Sequence, residues 1–194
     1  SPLDGRYATK LEDLEQYFSE FALIKNRVLV EINWLIFMSR TKSLSFVPTL
    51  SKNKETSLLK IIDEFSLKDA EQIKKIEAKT NHDVKAVEVF IGKKLESLNL
   101  KKYKEFVHLF CTSEDINNLS YSLMLKGYLD NEFKQINSSF LKDLKSKSKK
   151  WSKLSMLSFT HGQTASPTTL GKEIANFHER IKYHLNLLKS LNPS

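Results

Sequence analysis

The chain has 194 residues, of which 40% are hydrophobic and 28% are charged. This composition excludes a disordered chain, and no apolar run approaches the ~20 residues of a membrane span. There are only 5 Gly and 4 Pro. Strands and tight turns use both residues, so long helices with few connections are expected. The single cysteine, Cys111, excludes an internal disulfide and indicates a reducing compartment such as the cytoplasm.

The net charge of +8 is spread along the chain and is not gathered into one basic arm. A basic protein attracts nucleic acid, anionic membranes and phosphorylated metabolites. Blocks of five or more like charges are the usual sign of a basic arm, whereas the lysines here form pairs such as Lys74-Lys75 and Lys101-Lys102. Such pairs are typical of solvated helix faces. We therefore expect no nucleic-acid partner and no membrane partner.

Apolar residues recur at intervals of three and four along most of the chain, the spacing of amphipathic helices. In the first part of the chain this spacing predicts helices over residues 9–36, 58–65, 66–76 and 84–95. Two of these helices open with a capping-box pattern, a hydroxyl residue followed three positions later by an acid. The two patterns run from Thr9 to Glu12 and from Ser66 to Asp69.

The rest of the chain is predicted to form one very long helix and one final helix. Thr112 and Ser113 are cap residues followed by two acids that suit the helix dipole, and the long helix continues from there toward Trp151. A polar break covers residues 158–167, and the final helix starts near Leu170. The sequence therefore predicts an all-helical fold, without a Gly-rich phosphate loop or a zinc-spaced Cys/His cluster.

Three polar breaks carry side chains suited to acid, base or anion-binding chemistry, and binding sites often lie on such connections. The breaks cover residues 80–83, 112–115 and 158–164. Taken singly, their residues are more readily explained as helix caps, as surface loop residues, or as a glycine needed for its backbone angles. His178 and His184 lie inside the final helix and are interpreted as structural. His108 is compatible with either role.

Four segments resemble, in order and at similar spacing, the motifs of the adenylosuccinate lyase family. They are Ser-Pro-Leu-Asp-Gly-Arg-Tyr at 1–7, Thr-Asn-His-Asp-Val-Lys-Ala-Val-Glu at 80–88, Cys-Thr-Ser-Glu-Asp-Ile-Asn-Asn at 111–118 and Thr-His-Gly-Gln at 160–163. The resemblance continues through residues 171–176 and looks like the bacterial branch. It is least distinctive between Ser39 and Ile76. Helix caps alone would not reproduce four motifs in order, so the resemblance is specific.

The resemblance implies a fold of the fumarase and aspartase superfamily. Residues 1–110 would form an N-terminal helical domain, and residues 111–194 would form the first part of a central bundle of long helices. Members of the superfamily are homotetramers whose active sites are each assembled from segments of three subunits. A helix that is apolar along much of its length needs partners, which agrees with such an assembly.

The resemblance also implies a reaction. The family removes fumarate from adenylosuccinate to give AMP, and performs the same step on the succinylated aminoimidazole carboxamide ribotide (SAICAR). A base takes a proton from the carbon next to a carboxylate, and an acid protonates the departing nitrogen. The extra charge on that carboxylate needs hydrogen-bond donors around it. No metal and no organic cofactor is implied.

The family's motifs also imply a role for particular residues. His161 would be the general acid, since imidazole exchanges protons near neutral pH. The implied substrate-binding residues are Arg6 and Tyr7 for the phosphate, Asn81, His82 and Asp83 for the pocket wall, and Thr112 and Ser113 for a succinyl carboxylate. Weaker candidates are Lys85, His108 and Gln163.

The chain departs from the family's pattern at three points. Phe159 stands where a basic residue is expected, and Thr164 stands where proline is expected. The family's general base, a serine on a Gly-rich signature loop, has no counterpart here, so this chain alone is expected to be an inactive fragment. Two alternatives stay open. One is another fumarate-releasing lyase, acting on argininosuccinate, aspartate or malate, and the other is a helical interaction module.

Overall fold

The computed structural model describes residues 4–190 of the chain. The chain divides into two compact units, Ser1–Gly127 and Tyr128–Ser194. The first three residues of the opening motif and the last four residues of the chain lie outside the described part. Within the described residues the fold is predominantly helical, as predicted, with a single two-stranded sheet. None of the described helices is both long enough and apolar enough to cross a membrane.

All the regular elements described in the first unit, from residue 4 onward, are helical. Its helices are α1 (Glu12–Phe18), α2 (Glu20–Arg40), α3 (Lys52–Asp63), α4 (Leu67–Thr80), α5 (Asp83–Ser97) and α6 (Ser113–Tyr128), whose last residue opens the second unit. Short 3-10 turns cover Ala8–Lys10 and Lys101–Phe106. The second unit follows with a π-helical turn (Leu129–Phe133), α7 (Lys134–Lys150), β1 (Ser155–Thr160), β2 (Gln163–Thr169) and α8 (Leu170–Ser190).

Helix α2 runs through the core of the first unit. Its apolar residues repeat at helical spacing, and Val28, Ile32 and Leu35 are completely buried. They pack in one cluster with side chains of α3, α4 and α5, among them Phe90 of α5. Burying a side chain of this size stabilises the fold by about 1.5–3 kcal/mol. Hydrophobic burial therefore fixes α2 as the central element against which the other helices of the unit pack.

The predicted helix starts are confirmed in one case and wrong in the other. At α4 the capping box is present, and the backbone N–H of Ser66 donates to Asp69 Oδ2 at 3.0 Å. At Thr9 the predicted box is absent, because a 3-10 turn covers these residues and α1 begins after Leu11, which makes no side-chain cap. The predicted first helix is also broken at Ser19. Its hydroxyl accepts from the Ala22 N–H at 3.0 Å and so caps a new helix.

The helix predicted from Thr112 toward Trp151 is confirmed, since the backbone is helical from Ser113 to Lys150. Its one irregularity is the π-helical turn between α6 and α7, which the apolar spacing does not indicate. The final helix is also confirmed as α8, and it starts in close contact with the end of α7. A Cβ on Gly171 would lie 2.3 Å from the Ser148 carbonyl oxygen, so this position accepts only glycine without a backbone shift.

The polar break predicted at 158–167 is wrong, because these residues belong to an antiparallel hairpin. Strands β1 and β2 pair from Ser155 opposite Thr169 to Thr160 opposite Gln163, with an irregularity between Leu157 and Phe159. Threonine and aromatic residues favour strands. The polarity of the segment indicated a loop, whereas an exposed two-stranded hairpin carries polar residues on both faces.

Candidate functional site

The predicted site residues are divided between the two units. In the first unit, the segment before α1 contains Arg6 and Tyr7. The junction of α4 and α5 contains Asn81, His82 and Asp83, and Lys85 lies in the first turn of α5. The segment that leads into α6 contains His108, Thr112 and Ser113. In the second unit, His161 and Gln163 lie at the hairpin turn. All the binding candidates except Gln163 therefore belong to the first unit, and the candidate acid belongs to the second.

The segment that precedes α1 is held at its start by a carboxylate. Asp4 Oδ1 accepts from the Glu20 backbone N–H at 3.0 Å, which ties the segment to the first turn of α2. The Arg6 guanidinium lies 5.5 Å from the centre of the Tyr7 ring, a cation–π arrangement, and both residues are exposed. An exposed guanidinium with its planar set of donors is free to meet a phosphate.

The break between α4 and α5 is held by its own side chains. Asn81 ends α4 in the left-handed conformation, with φ 50°. His82 caps α5, because its Nδ1 accepts from the Lys85 N–H at 3.1 Å. This bond makes Nδ1 an acceptor, so the neutral ring carries its proton on Nε2. The capping interpretation of His82 is thus confirmed, and the cap leaves Nε2 as a donor for a ligand.

Asp83 is joined to a residue of α2 that sequence analysis missed. Its Oδ2 lies 2.6 Å from Nη2 of Arg27, and its Oδ1 accepts from the Val84 N–H at 2.8 Å. Burial pushes the pKa of Asp83 upward, but the Val84 amide and the Arg27 guanidinium outweigh it and hold the pKa below its ordinary value. Asp83 is therefore an ionised acceptor at neutral pH and not a proton donor.

Arg27 also reaches α6. The side chain is almost completely buried, and its Nε donates to Asn117 Oδ1 at 2.9 Å. Asn117 in turn donates through Nδ2 to Glu114 Oε1 at 3.1 Å. One guanidinium thus connects the Asp83 segment with the start of α6, so two of the predicted binding segments are brought together by a residue from neither of them.

Glu31 lies one helical turn after Arg27 and makes the corresponding contact with His108. The Glu31 side chain is fully buried. Its Oε2 accepts from the His108 backbone N–H at 3.1 Å, and its Oε1 lies 2.6 Å from His108 Nδ1. Burial raises the pKa of Glu31, and the hydrogen bonds from His108 oppose that rise. The sequence did not single out Arg27 and Glu31, and their only sign in it is a pair of opposite charges four residues apart within an apolar stripe.

The cap of α6 uses donors that were predicted to bind a ligand. Thr112 donates to Asp115 Oδ2 through both its backbone N–H at 2.7 Å and its hydroxyl at 3.0 Å. These bonds hold the pKa of Asp115 below its ordinary value. The Thr112 hydroxyl therefore already donates its proton to Asp115. A carboxylate at this helix start would be met by the Ser113 hydroxyl and the free amides of the first turn.

Cys111 precedes this cap and is not a nucleophile at neutral pH. Burial raises the pKa of its thiol to about 11, and the Glu31 and Asp115 carboxylates act in the same direction. Because the thiolate is the reactive form, the protonated thiol contributes only to packing. It contacts the small cluster formed by Val30, Val84 and Ile116.

His161 lies at the tip of the hairpin in the second unit. It has φ 51° and the next residue, Gly162, has φ 75°. Since Thr160 pairs with Gln163, these are the two central residues of a two-residue turn with positive φ at both positions, the signature of type I′. The His161 side chain is exposed. The turn thus projects an imidazole beyond the paired strands, with Gln163 as the first residue of β2.

We expect replacement of Gly162 by valine to weaken the hairpin by about 1–2 kcal/mol, because a branched residue is strained at positive φ. No atom lies within 4 Å of a Cβ at this position, so the whole cost comes from the backbone. Amide hydrogen exchange in β1 and β2 would measure it, and unchanged protection would contradict the turn assignment. The control is Gly127→Ala in helix α6, where the nearest atom lies at 3.5 Å and helix propensity favours alanine by about 1 kcal/mol.

Within residues 4–190, no group of three or more His, Cys, Asp or Glu side chains is arranged to hold a metal ion. The candidate residues described above offer hydrogen-bond donors, carboxylates and imidazoles. The first unit contains the start of α6 with its candidate donors and two imidazoles held by hydrogen bonds, and the second unit contains one exposed imidazole.

Solved structures share the fold of the chain. A fumarate lyase from Mesorhizobium sp. BNC1 matches with a TM-score of 0.73 at 16% identity, over 94% of this chain and 40% of that one. A 3-carboxy-cis,cis-muconate lactonizing enzyme from Pseudomonas putida matches with a TM-score of 0.73 at 17% identity, over 94% and 40%. At such identities the likeness shows the fold alone, which is that of a class of helical enzymes.

Sequence comparison shows the family to which the chain belongs. The chain belongs to the family described as lyase, which matches residues 5–194. It is 43% identical over 191 residues to the adenylosuccinate lyase of Haemophilus influenzae, covering 98% of this chain and 42% of that protein. It is 42% identical over 183 residues to that of Escherichia coli K12, covering 94% and 40%. The resemblance based on the four motifs is thereby confirmed, and the chain spans about two fifths of the length of these relatives.

Proposed function

We propose that the protein to which this chain belongs is an adenylosuccinate lyase, which eliminates fumarate from adenylosuccinate to give AMP and performs the same step on SAICAR. The observation that carries the proposal is the 43% identity, over 98% of the chain, to a protein of that name. The protein would act in the cytoplasm, without a metal or an organic cofactor, on small-molecule substrates of purine nucleotide biosynthesis.

The substrate would be bound by the candidate residues of the first unit. An open groove of about 570 Å³ adjoins the α4–α5 break, and its lining residues are Lys74, Glu77, Ala78, Asn81, His82 and Asp83. The donors there are His82 Nε2, the Asn81 amide and Lys74, whose Nζ is paired with Glu20 and Glu77. The Asp83 carboxylate is engaged by Arg27. Arg6 and Tyr7 would bind the phosphate. Ser113 and the amides of the first turn of α6 would bind a succinyl carboxylate, and Thr112 would join them only by exchanging its bonds to Asp115 for the ligand.

Proton transfer would be the task of His161. Exposed at the hairpin tip, it would deliver a proton to the departing nitrogen, and Gln163 would assist in binding. Lys85 is the weakest of these candidates, because its Nζ is paired with Glu88 Oε1 at 2.6 Å. The base that removes the carbon-bound proton would come from the part of the longer protein that carries the signature-loop serine, so this chain alone would be an inactive fragment.

The domain organisation and the assembly are part of the same proposal. Residues 1–110 would be the N-terminal domain and residues 111–194 the first part of the helical bundle. Among residues 128–190, Gly171 is the only buried residue, while large apolar side chains such as Ile136, Phe140 and Phe177 are exposed. Helices with so little buried surface need partners. We propose that copies of the same protein supply them in a homotetramer with shared active sites.

The test is an assay of fumarate release by the full-length protein, with adenylosuccinate, argininosuccinate, aspartate and malate as substrates. We expect turnover of adenylosuccinate, and no activity for residues 1–194 alone. Fumarate release from one of the other substrates would keep the family and overturn the substrate. A lack of all four activities, together with tight and salt-sensitive nucleic-acid binding, would favour the helical interaction module.

A further inference from the structure

Glu31 is a fully buried carboxylate in the middle of α2, and its partner is a histidine and not a lysine or an arginine. Burying an ionised carboxylate is costly unless it is paired and hydrogen-bonded. A histidine is a weak compensating partner, because it carries a full charge only when it is protonated. Packing gives no reason for a glutamate here, since apolar Val28, Ile32 and Leu35 share the same helix face.

Glu31 holds His108 at two points. One oxygen accepts from the backbone N–H, and the other lies 2.6 Å from Nδ1. The backbone of His108 has φ 63°, a conformation that non-glycine residues adopt at a cost of ~1–3 kcal/mol. Two contacts with one carboxylate fix both this backbone and the orientation of the ring. Since Nδ1 is occupied, Nε2 is the nitrogen left for a ligand, and the His108 side chain is 21% exposed.

We propose that Glu31 is a positioning residue, which fixes the ring and the tautomer of His108 so that Nε2 is presented to the substrate. The inference rests on the proposed function. It assigns to Glu31 the orientation of His108, which is one of the binding candidates. Arg27, one turn earlier on α2, fixes Asp83 and Asn117. Helix α2 therefore holds in place side chains from three segments that carry predicted binding residues.

The surroundings of Glu31 keep its charge sensitive to pH. The titratable groups that face it are His108, Glu88 of α5 and Cys111. Burial raises the pKa of Glu31, and the nearby Glu88 carboxylate acts in the same direction, whereas His108 lowers it. The folded protein therefore takes up this proton at a higher pH than the unfolded chain. As the pH falls, protonation of Glu31 stabilises the fold through linkage while it removes the carboxylate that orients His108.

The test is Glu31→Gln in the full-length protein, which keeps the shape of the side chain and removes its charge. We expect kcat/KM for adenylosuccinate to fall by about tenfold, as for other hydrogen-bonding partners that orient a site residue. The denaturation midpoint in urea is expected to stay equal or to rise, because a buried charge is removed. The acid limb of the pH–rate profile should begin at a lower pH than in the wild-type protein, because the variant has no carboxylate at this position to protonate.

A double-mutant cycle with His108→Ala separates positioning from a purely structural role. If Glu31 acts through His108, Glu31→Gln has no further effect on kcat/KM in the His108→Ala background. The control is Glu55→Gln, which removes the charge of an α3 glutamate that pairs with Arg40 of α2. This variant is expected to leave kcat/KM unchanged. Wild-type-like kcat/KM in Glu31→Gln, or additive losses in the double variant, would overturn the inference. An inactive wild-type protein would instead contradict the proposed function.

Discussion

Replacing His161 by alanine in the full-length protein is expected to lower kcat for adenylosuccinate by about 10²–10⁴-fold, the usual contribution of a general acid. The KM should change little, because every binding candidate except Gln163 lies in the first unit. The side chain is exposed at the tip of a two-residue turn, so its removal leaves no cavity and breaks no buried contact. Loss of activity would therefore not be explained by unfolding, which circular dichroism of the variant would check.

His178 is the matched control for this experiment. It lies in α8 of the same unit, its side chain is 12% exposed, and its Nδ1 lies 2.8 Å from Glu179 Oε1. We expect His178→Ala to retain most of the wild-type kcat. Full activity in His161→Ala would transfer the acid role to another histidine, and His82 and His108 would be tested next. Equal loss in both variants would show that the assay reports the stability of the second unit and not catalysis.

Replacing Arg27 by methionine is expected to lower the free energy of unfolding by about 2–3 kcal/mol. Removing one member of a buried ion pair costs about 3–5 kcal/mol, and the value here is reduced because the Asp83 side chain is 44% exposed. The change leaves Asp83 Oδ2 and Asn117 Oδ1 without the donor that joins them. The urea midpoint gives the size of the effect. Amide exchange at the start of α5 and α6 should locate it.

Arg40 provides the comparison on the same helix. It makes a two-point contact with Glu55, but its side chain is 64% exposed. An exposed ion pair is screened by water and contributes little to stability, so Arg40→Met should change the midpoint much less than Arg27→Met. Similar shifts for the two variants would contradict the role of Arg27 as the buried link between α5 and α6.

Most helices could be predicted because their signals are local. The apolar spacing of α2, α5 and α8 and the Ser66–Asp69 box are properties of adjacent residues. The hairpin was missed because polarity was taken to indicate a loop, whereas β1 and β2 are stabilised by pairing with each other. The break at Ser19 was missed because the apolar spacing continues across it. Only the hydroxyl that bonds to the Ala22 N–H distinguishes it.

The sequence allowed the individual cap residues of the candidate site to be predicted, but not the side-chain contacts that join them. The cap residues His82 and Thr112 stand out in the sequence because caps have a residue signature. Arg27 and Glu31 do not, since their partners lie between 56 and 90 residues away along the chain. Contacts between residues so far apart along the chain can be identified only from the packed structure. A charged residue inside an apolar helical stripe is the one sign the sequence offers.

The four-residue spacing of Arg27 and Glu31 limits how this stretch of the chain can vary in length. One residue inserted into an α-helix rotates everything that follows by about 100°. An insertion or deletion between the two positions would therefore turn either the guanidinium or the carboxylate away from its partner. Among relatives, length changes should therefore be absent between residues 27 and 31.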